Sequence, residues 1–228
     1  GARYFGRGDI LAELLDEMAF HGKTYGDIPR QRPFVTVNAT DMEYGGRFEF
    51  TQDQFDHICA DLDRFPISRA VAASVAAPLV FSPISLWNHR QDCPVVNQKL
   101  DVQSLASESR YIHLLDGGLS DNTGVQNSLE LIAVRGGIVE AARSTALSGI
   151  RKQVFVIVNA QIRRSFTEDA LPDTPGLARQ LRSLVDIPID RYSGSSIEAL
   201  KREVLRWRAQ LYFASDEQLG GIIDRETD

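Results

Sequence analysis

Cysteine is scarce in this chain of 228 residues: Cys59 and Cys93 are the whole complement, so at most one internal disulfide can form. A bridge between them would close a loop worth about 3 to 4 kcal/mol in chain-entropy terms. Two free buried thiols fit the sequence equally well. A bridge implies the cell envelope or secretion, and free thiols imply the cytoplasm. Long apolar runs are missing too. None approaches the roughly 18 residues that crossing a bilayer requires, so no transmembrane segment is expected. Gly1 to Gly6 has no signal-peptide core, and any export signal would belong to a longer parent.

Positive charge is in deficit. Against 31 Asp and Glu stand 25 Lys and Arg, giving a net charge of −6 and a pI of about 5.3. The basic residues are scattered rather than clustered, which excludes a nucleic-acid footprint. No P-loop lysine motif occurs and Gly6-Arg7-Gly8 is not preceded by a strand, so a nucleotide-binding domain is a weak reading. The four histidines, His21, His57, His89 and His113, have no spacing suited to a shared metal. No metal and no cofactor is expected.

What the chain does have is the stretch Leu115-Asp116-Gly117-Gly118-Leu119-Ser120-Asp121-Asn122-Thr123-Gly124. The apolar run Tyr111 to Leu115 delivers a carboxylate directly into two glycines, as a strand ending at a chemical site does. The glycines permit φ > 0 and close approach to another group. Asp116 stands at the carboxyl end of its strand, where open α/β sheets place ligands. The same residue types make ordinary turns, and Asp121 or Asn122 would serve to cap a helix starting near Val125. The alternate carboxylates and closing Glu of a calcium loop are absent.

Upstream, Ala73-Ser74-Val75-Ala76-Ala77-Pro78-Leu79-Val80-Phe81-Ser82-Pro83 follows a run of small residues, and Pro33 to Asp41 ends in Ala39-Thr40-Asp41. Together with Asp116-Gly117-Gly118 these stretches resemble the patatin-like phospholipase family, its bacterial branch in particular. There a run A-S-x-A-x-P-x-x-F-x-P precedes a D-G-G or D-G-A motif whose aspartate is the catalytic base. The resemblance covers at least Pro33 to Gly124. It implies a layered α/β fold, a mostly parallel or mixed sheet covered by helices on both faces. It also implies a Ser-Asp dyad cleaving lipid esters at a membrane surface, with Asp116 as base and Gly117 and Gly118 shaping its loop. Leu79, Val80, Phe81 and Trp87 would wall an acyl pocket, though core packing explains them as well.

One departure is large. The family's serine sits in a G-x-S-x-G elbow, and no such elbow occurs in these residues; Gly118 to Asn122 and Gly194 to Glu198 each lack the last glycine. The chain, 1–228, therefore reads as a single-domain fragment that supplies the aspartate of the dyad and is inactive alone. The alternative is a non-catalytic domain of the same type that binds lipid or a protein partner.

Along the rest of the chain, periodicity predicts an amphipathic helix over Asp9 to Phe20 packed on a sheet face and stopped by Gly22. It predicts a buried strand at Phe34 to Val37, a turn at Tyr44-Gly45-Gly46 before a strand at Phe48 to Phe50, and a helix over Asp53 to Leu62 capped by Thr51. A deeply buried small-residue helix should run between Pro66 and Pro78. Helices follow over Val125 to Val134, Ile138 to Leu147 and Leu177 to Val185. The run Val154 to Val158 reads as a strand buried on both faces, the pattern of a parallel sheet. Ser195-Ser196-Ile197-Glu198 reads as a capping box opening a last helix with Ile197, Leu200, Val204, Trp207 and Leu211 on one stripe.

Overall fold

A computed structural model describes residues 5–30, 33–92, 109–134, 136–138, 140, 154–158 and 176–213. They belong to two compact units, Gly1–Asn122 and Thr123–Asp228.

The first unit is built on a four-stranded sheet of order β2-β1-β4-β3, with β1 at Asn38–Asp41, β2 at Arg47–Glu49, β3 at Ile84–Trp87 and β4 at Tyr111–Asp116. Every neighbouring pair is antiparallel. This corrects the expected mostly parallel, two-faced layered sheet, and the reason is visible in the strands. Along β4 only Ile112 and Leu114 are buried, and along β3 only Ile84 and Leu86, so each strand buries one side. Antiparallel sheets with a single covered face have this alternation. The apolar run that suggested two-faced burial, Val154 to Val158, is not part of this sheet.

The buried face carries an aromatic cluster in which Phe50 packs against Tyr25, Phe48, Phe55 and Phe65. The turn at Gly45-Gly46 forms as expected: Gly45 takes φ 67°, and the Asp41 carboxylate accepts the Glu43 and Tyr44 amides. The strand itself starts later than expected. Phe34 is 80% exposed, and pairing begins at Asn38.

Helix α1 (Arg7–Leu15) continues as a wider turn to Phe20 and stops where His21 and Gly22 adopt positive φ. It packs on a helix rather than on the sheet. Gly8 and Ala12 are its buried residues, and Leu14 and Met18, expected inside, are exposed. Its partner is the small-residue helix α3 (Ile67–Ser74), begun by Pro66 and tied to α1 by the Arg69–Asp9 ion pair at 3.0 Å. Gly8 lies against the Ser82 carbonyl and Ile84, too close for a Cβ, and Leu11 and Leu15 are partly buried against the core that holds the α3 alanines. Between these helices, α2 (Gln52–His57) is shorter than predicted and is followed by Cys59 at φ 53°. Cys59 is disulfide-bonded, and Cys93 lies outside the described residues.

Ala70, Ala72, Ala73 and Ala76 are fully buried. Ala73→Leu is expected to cost about 1 to 3 kcal/mol through overpacking. A urea melt indistinguishable from wild type would show that α3 tolerates bulk and is peripheral.

In the second unit, α5 (Val125–Val134) forms as predicted, following the short helix α4 (Gly118–Asp121) that closes the first unit. The last helix, α6, runs unbroken from Leu177 to Phe213 with Pro188 inside it. Ser195 therefore caps nothing. Its hydroxyl, like that of Ser193, donates back to a carbonyl of the preceding turn, a common use of mid-helix serine. Leu200, Val204 and Trp207 pack against Val125, Leu129 and Ile132, together with Phe155 and Ile157. Val154, Val156 and Val158 are about four-fifths exposed, so this segment also buries one side only. The helix expected over Ile138 to Leu147 lies almost wholly outside the described residues, as does most of the connection between Trp87 and β4. No helix among the described residues is long and apolar enough to cross a membrane.

Candidate active site

Asp116 closes β4 opposite Ala39 of β1, in the middle of the sheet. Its amide donates to the Ala76 carbonyl at 3.0 Å, and the Gly117 amide donates to Ser74 at 3.0 Å. Carbonyls at a helix end lack partners within the helix. Here the strand end supplies them, and the loop after α3 is thereby fixed beside the aspartate.

The two glycines earn their place by proximity. Gly117 has φ −62°, and neither it nor Gly118 takes positive φ, contrary to half of the expectation. A Cβ on Gly117 would stand 2.4 Å from the Asn38 carbonyl oxygen, and one on Gly118 would stand 2.8 Å from Asn122 Oδ1 and 3.1 Å from Asp116 Oδ1. At Gly117 the loop crosses β1 too closely for any side chain, and at Gly118 a side chain would meet those of Asn122 and Asp116.

Thr40 secures the loop from below. Its buried hydroxyl donates to the Asp116 carbonyl at 2.8 Å and lies 2.8 Å from the Ser120 hydroxyl. Arg47, facing Thr40 on β2, reaches Glu49 at 2.8 Å and the fully buried Asp121 carboxylate at 3.7 Å. Asp121 is thus an ion-pair partner of the sheet. Thr40, Arg47 and Ser120 were not singled out in the sequence. Thr40 lies inside the Ala39-Thr40-Asp41 match, but the Arg47–Asp121 pair joins residues too far apart in sequence for any local pattern to link.

The Asp116 carboxylate is half-buried. Burial raises its pKa above the ordinary carboxylate value, and the Gly118 N–H, donating to Oδ1 at 2.8 Å, pulls it part of the way back. Among the described residues no serine, threonine or histidine side chain bonds this carboxylate. Beyond Ala76 the chain turns through Leu79, whose φ of 71° is unusual for a leucine and whose side chain is 63% exposed. Strained backbone of this kind costs of order 1 to 3 kcal/mol and gathers at functional sites. Val75 and Val80 are also exposed, and Phe81 is half-buried, so an apolar rim adjoins the α3 end that holds Asp116. Trp87 does not join them. It projects from the other side of the sheet, on the face opposite Ile112 and Leu114, and packs edge-on against Tyr111.

Among the described residues no group of three His, Cys, Asp or Glu could hold a metal. One further polar pair escaped the sequence reading: the Ser85 hydroxyl and His113 Nδ1 lie 2.7 Å apart across β3 and β4, exposed to solvent. No protein-family model, curated protein or solved structure matches the chain.

The raised pKa has a consequence for stability. The folded state binds the Asp116 proton more tightly than the unfolded chain, so stability falls as pH rises from the ordinary value of 3.8 through the raised one, and stays lower above it. Asp116→Asn keeps an acceptor for Gly118 and removes the charge. It is expected to melt above wild type at pH 7, with the difference closing below about pH 4. A variant that melts below wild type at neutral pH would contradict the burial of a costly charge.

Proposed function

We propose that the chain carries the general base of a serine acyl hydrolase acting on lipid esters, and that the serine lies outside these 228 residues. The observation that carries the reading is the Asp116 carboxylate. One of its oxygens is held by Gly118, no side chain among the described residues occupies it, and burial favours its protonated form. An aspartate at its free pKa of about 3.9 is a weak base at neutral pH, and desolvation moves it in the useful direction.

In this scheme the serine oxygen attacks the ester carbonyl carbon while Asp116 takes the hydroxyl proton. The tetrahedral intermediate collapses, the alcohol leaves with that proton, and an acyl-enzyme remains. Water then attacks the acyl carbon, again giving a proton to Asp116, and the fatty acid and free serine are released. Leu79 and Val80 supply an apolar surface for the acyl chain at the rim.

Fatty-acid release from phospholipid vesicles, or p-nitrophenol from its esters, is the assay. Hydrolysis is expected from a protein that joins these residues to the upstream serine, and none from the 228 residues alone. Hydrolysis by the isolated chain at the same rate would move the chemistry to other residues. Vesicle binding without hydrolysis by either protein would favour a non-catalytic lipid-binding domain.

A further inference from the structure

Side chains alternate along a strand, so Tyr111 and His113 stand on the opposite side of β4 from Ile112 and Leu114. Ser85 and Trp87 do the same on β3. The rings of Trp87, Tyr111 and His113 form a continuous row with a half-buried centre: Trp87 meets Tyr111 edge-on at 4.9 Å, and Tyr111 lies parallel to His113 at 6.4 Å. Trp87 is 46% exposed and Tyr44, on the neighbouring β1–β2 turn, is 50% exposed. Where this row meets the turn there is a cavity of about 250 Å³, with Asp41, Glu43, Tyr44, Tyr111 and His113 among its walls.

We propose that this cavity binds a small organic cation, a quaternary or primary ammonium group. Two carboxylates from one tight turn give it negative charge, and among the described residues neither Asp41 nor Glu43 is paired with a basic side chain. Asp41 also accepts the Glu43 and Tyr44 amides, which fixes the turn that carries both charges and the Tyr44 ring. Two tyrosines, Tyr44 and Tyr111, line it, and tyrosine rings are of the kind that recognise quaternary ammonium ions. Among the described residues no lysine or arginine lines the cavity. An anion would face both carboxylates, and a neutral apolar ligand would desolvate them without return. A cation satisfies charge and rings together. The site is independent of the acyl-hydrolase proposal, because Asp116 is on the other side of β4.

Choline chloride titrated into the isotope-labelled 228-residue chain, followed by amide shifts, tests this. Saturable shifts confined to residues 41–44 and 111–113 are expected, with binding of 3,3-dimethylbutan-1-ol, the uncharged isostere, at least about tenfold weaker. Tyr44→Ala should weaken choline about fivefold, and Glu43→Gln, on an exposed turn, should weaken it severalfold while the rest of the spectrum is unchanged. Asp116→Asn should bind choline as wild type does. Absence of saturable shifts, equal affinity for the alcohol, tighter binding of glucose than of choline, or choline binding that survives both cavity variants would each overturn the proposal.

Discussion

Asp116→Asn is expected to abolish ester cleavage in the serine-bearing protein, lowering kcat about as far as removal of the serine does. Members of a catalytic unit fail together, because losing either leaves only the residual rate given by binding and oxyanion stabilisation. Losses of about 10⁴ to 10⁶ in kcat are the scale for such units. The amide keeps the shape of the side chain and its acceptor for the Gly118 N–H but has no basic oxygen, so KM should change little. The fold should persist, since the substitution removes a partly buried charge. Asp121→Asn is the informative contrast. Asp121 pairs with Arg47 and does not reach the proposed chemistry, so its loss should lower the melting temperature more than kcat in the protein that remains folded. Equal kcat losses from the two substitutions would show that both act through structure.

Arg47→Ala should be strongly destabilising, at about 3 to 5 kcal/mol, the scale for breaking a buried ion pair by removing one of its members. Glu49 makes the shorter contact with Arg47, but it is a quarter exposed, so water replaces the lost partner there. Asp121 has no exposed side-chain surface, and its contact, though longer at 3.7 Å, governs the cost. The double variant Arg47→Met with Asp121→Asn removes both charges and should recover a large part of the loss. Urea denaturation of the four proteins measures this directly. If Arg47→Ala and the double variant unfold at the same urea concentration, the pair contributes packing and not charge compensation.

Local signals carried the parts of the fold that were legible beforehand. Consecutive glycines marked both the β1–β2 turn and the loop after β4. Pro66 and Pro78 bracketed α3, and the apolar period of α5 set both its ends. Each depends on residues within one turn of each other. What was not legible depends on pairing between distant segments. Strand direction is one case: an apolar run such as Val154 to Val158 has the same composition whether it is buried on one side or two, and only its neighbours decide. The outward turn of Leu14 and Met18 is another. Their spacing is that of a buried stripe, but α1 is buried at Ala12 and at Gly8, the latter against Ser82 and Ile84, and those contacts come from segments distant in sequence. The Ser195 capping box failed because a box marks a helix start only when the preceding residues are not already helical.

At the candidate site the sequence pointed to Asp116 through its position between a strand and two glycines, and to the closeness those glycines allow. It did not point to Thr40, Arg47 and Ser120, because the network that holds the loop is assembled from three elements. Gly117 illustrates the difference. Its need for glycine comes from the Asn38 carbonyl beside it, a contact between strands, and not from its own backbone angles.

In the proposed reaction Asp116 activates a serine supplied from outside these residues. Reaction of the serine-bearing protein with a fluorophosphonate ester, with the modified residue located by peptide mass spectrometry, tests it most directly. A single labelled serine outside the 228 residues, with labelling slowed by orders of magnitude in Asp116→Asn and little changed in a folded Asp121→Asn, is the expected result. Labelling at Ser85 beside His113, at Ser120, or at any serine with a rate indifferent to Asp116→Asn would contradict it.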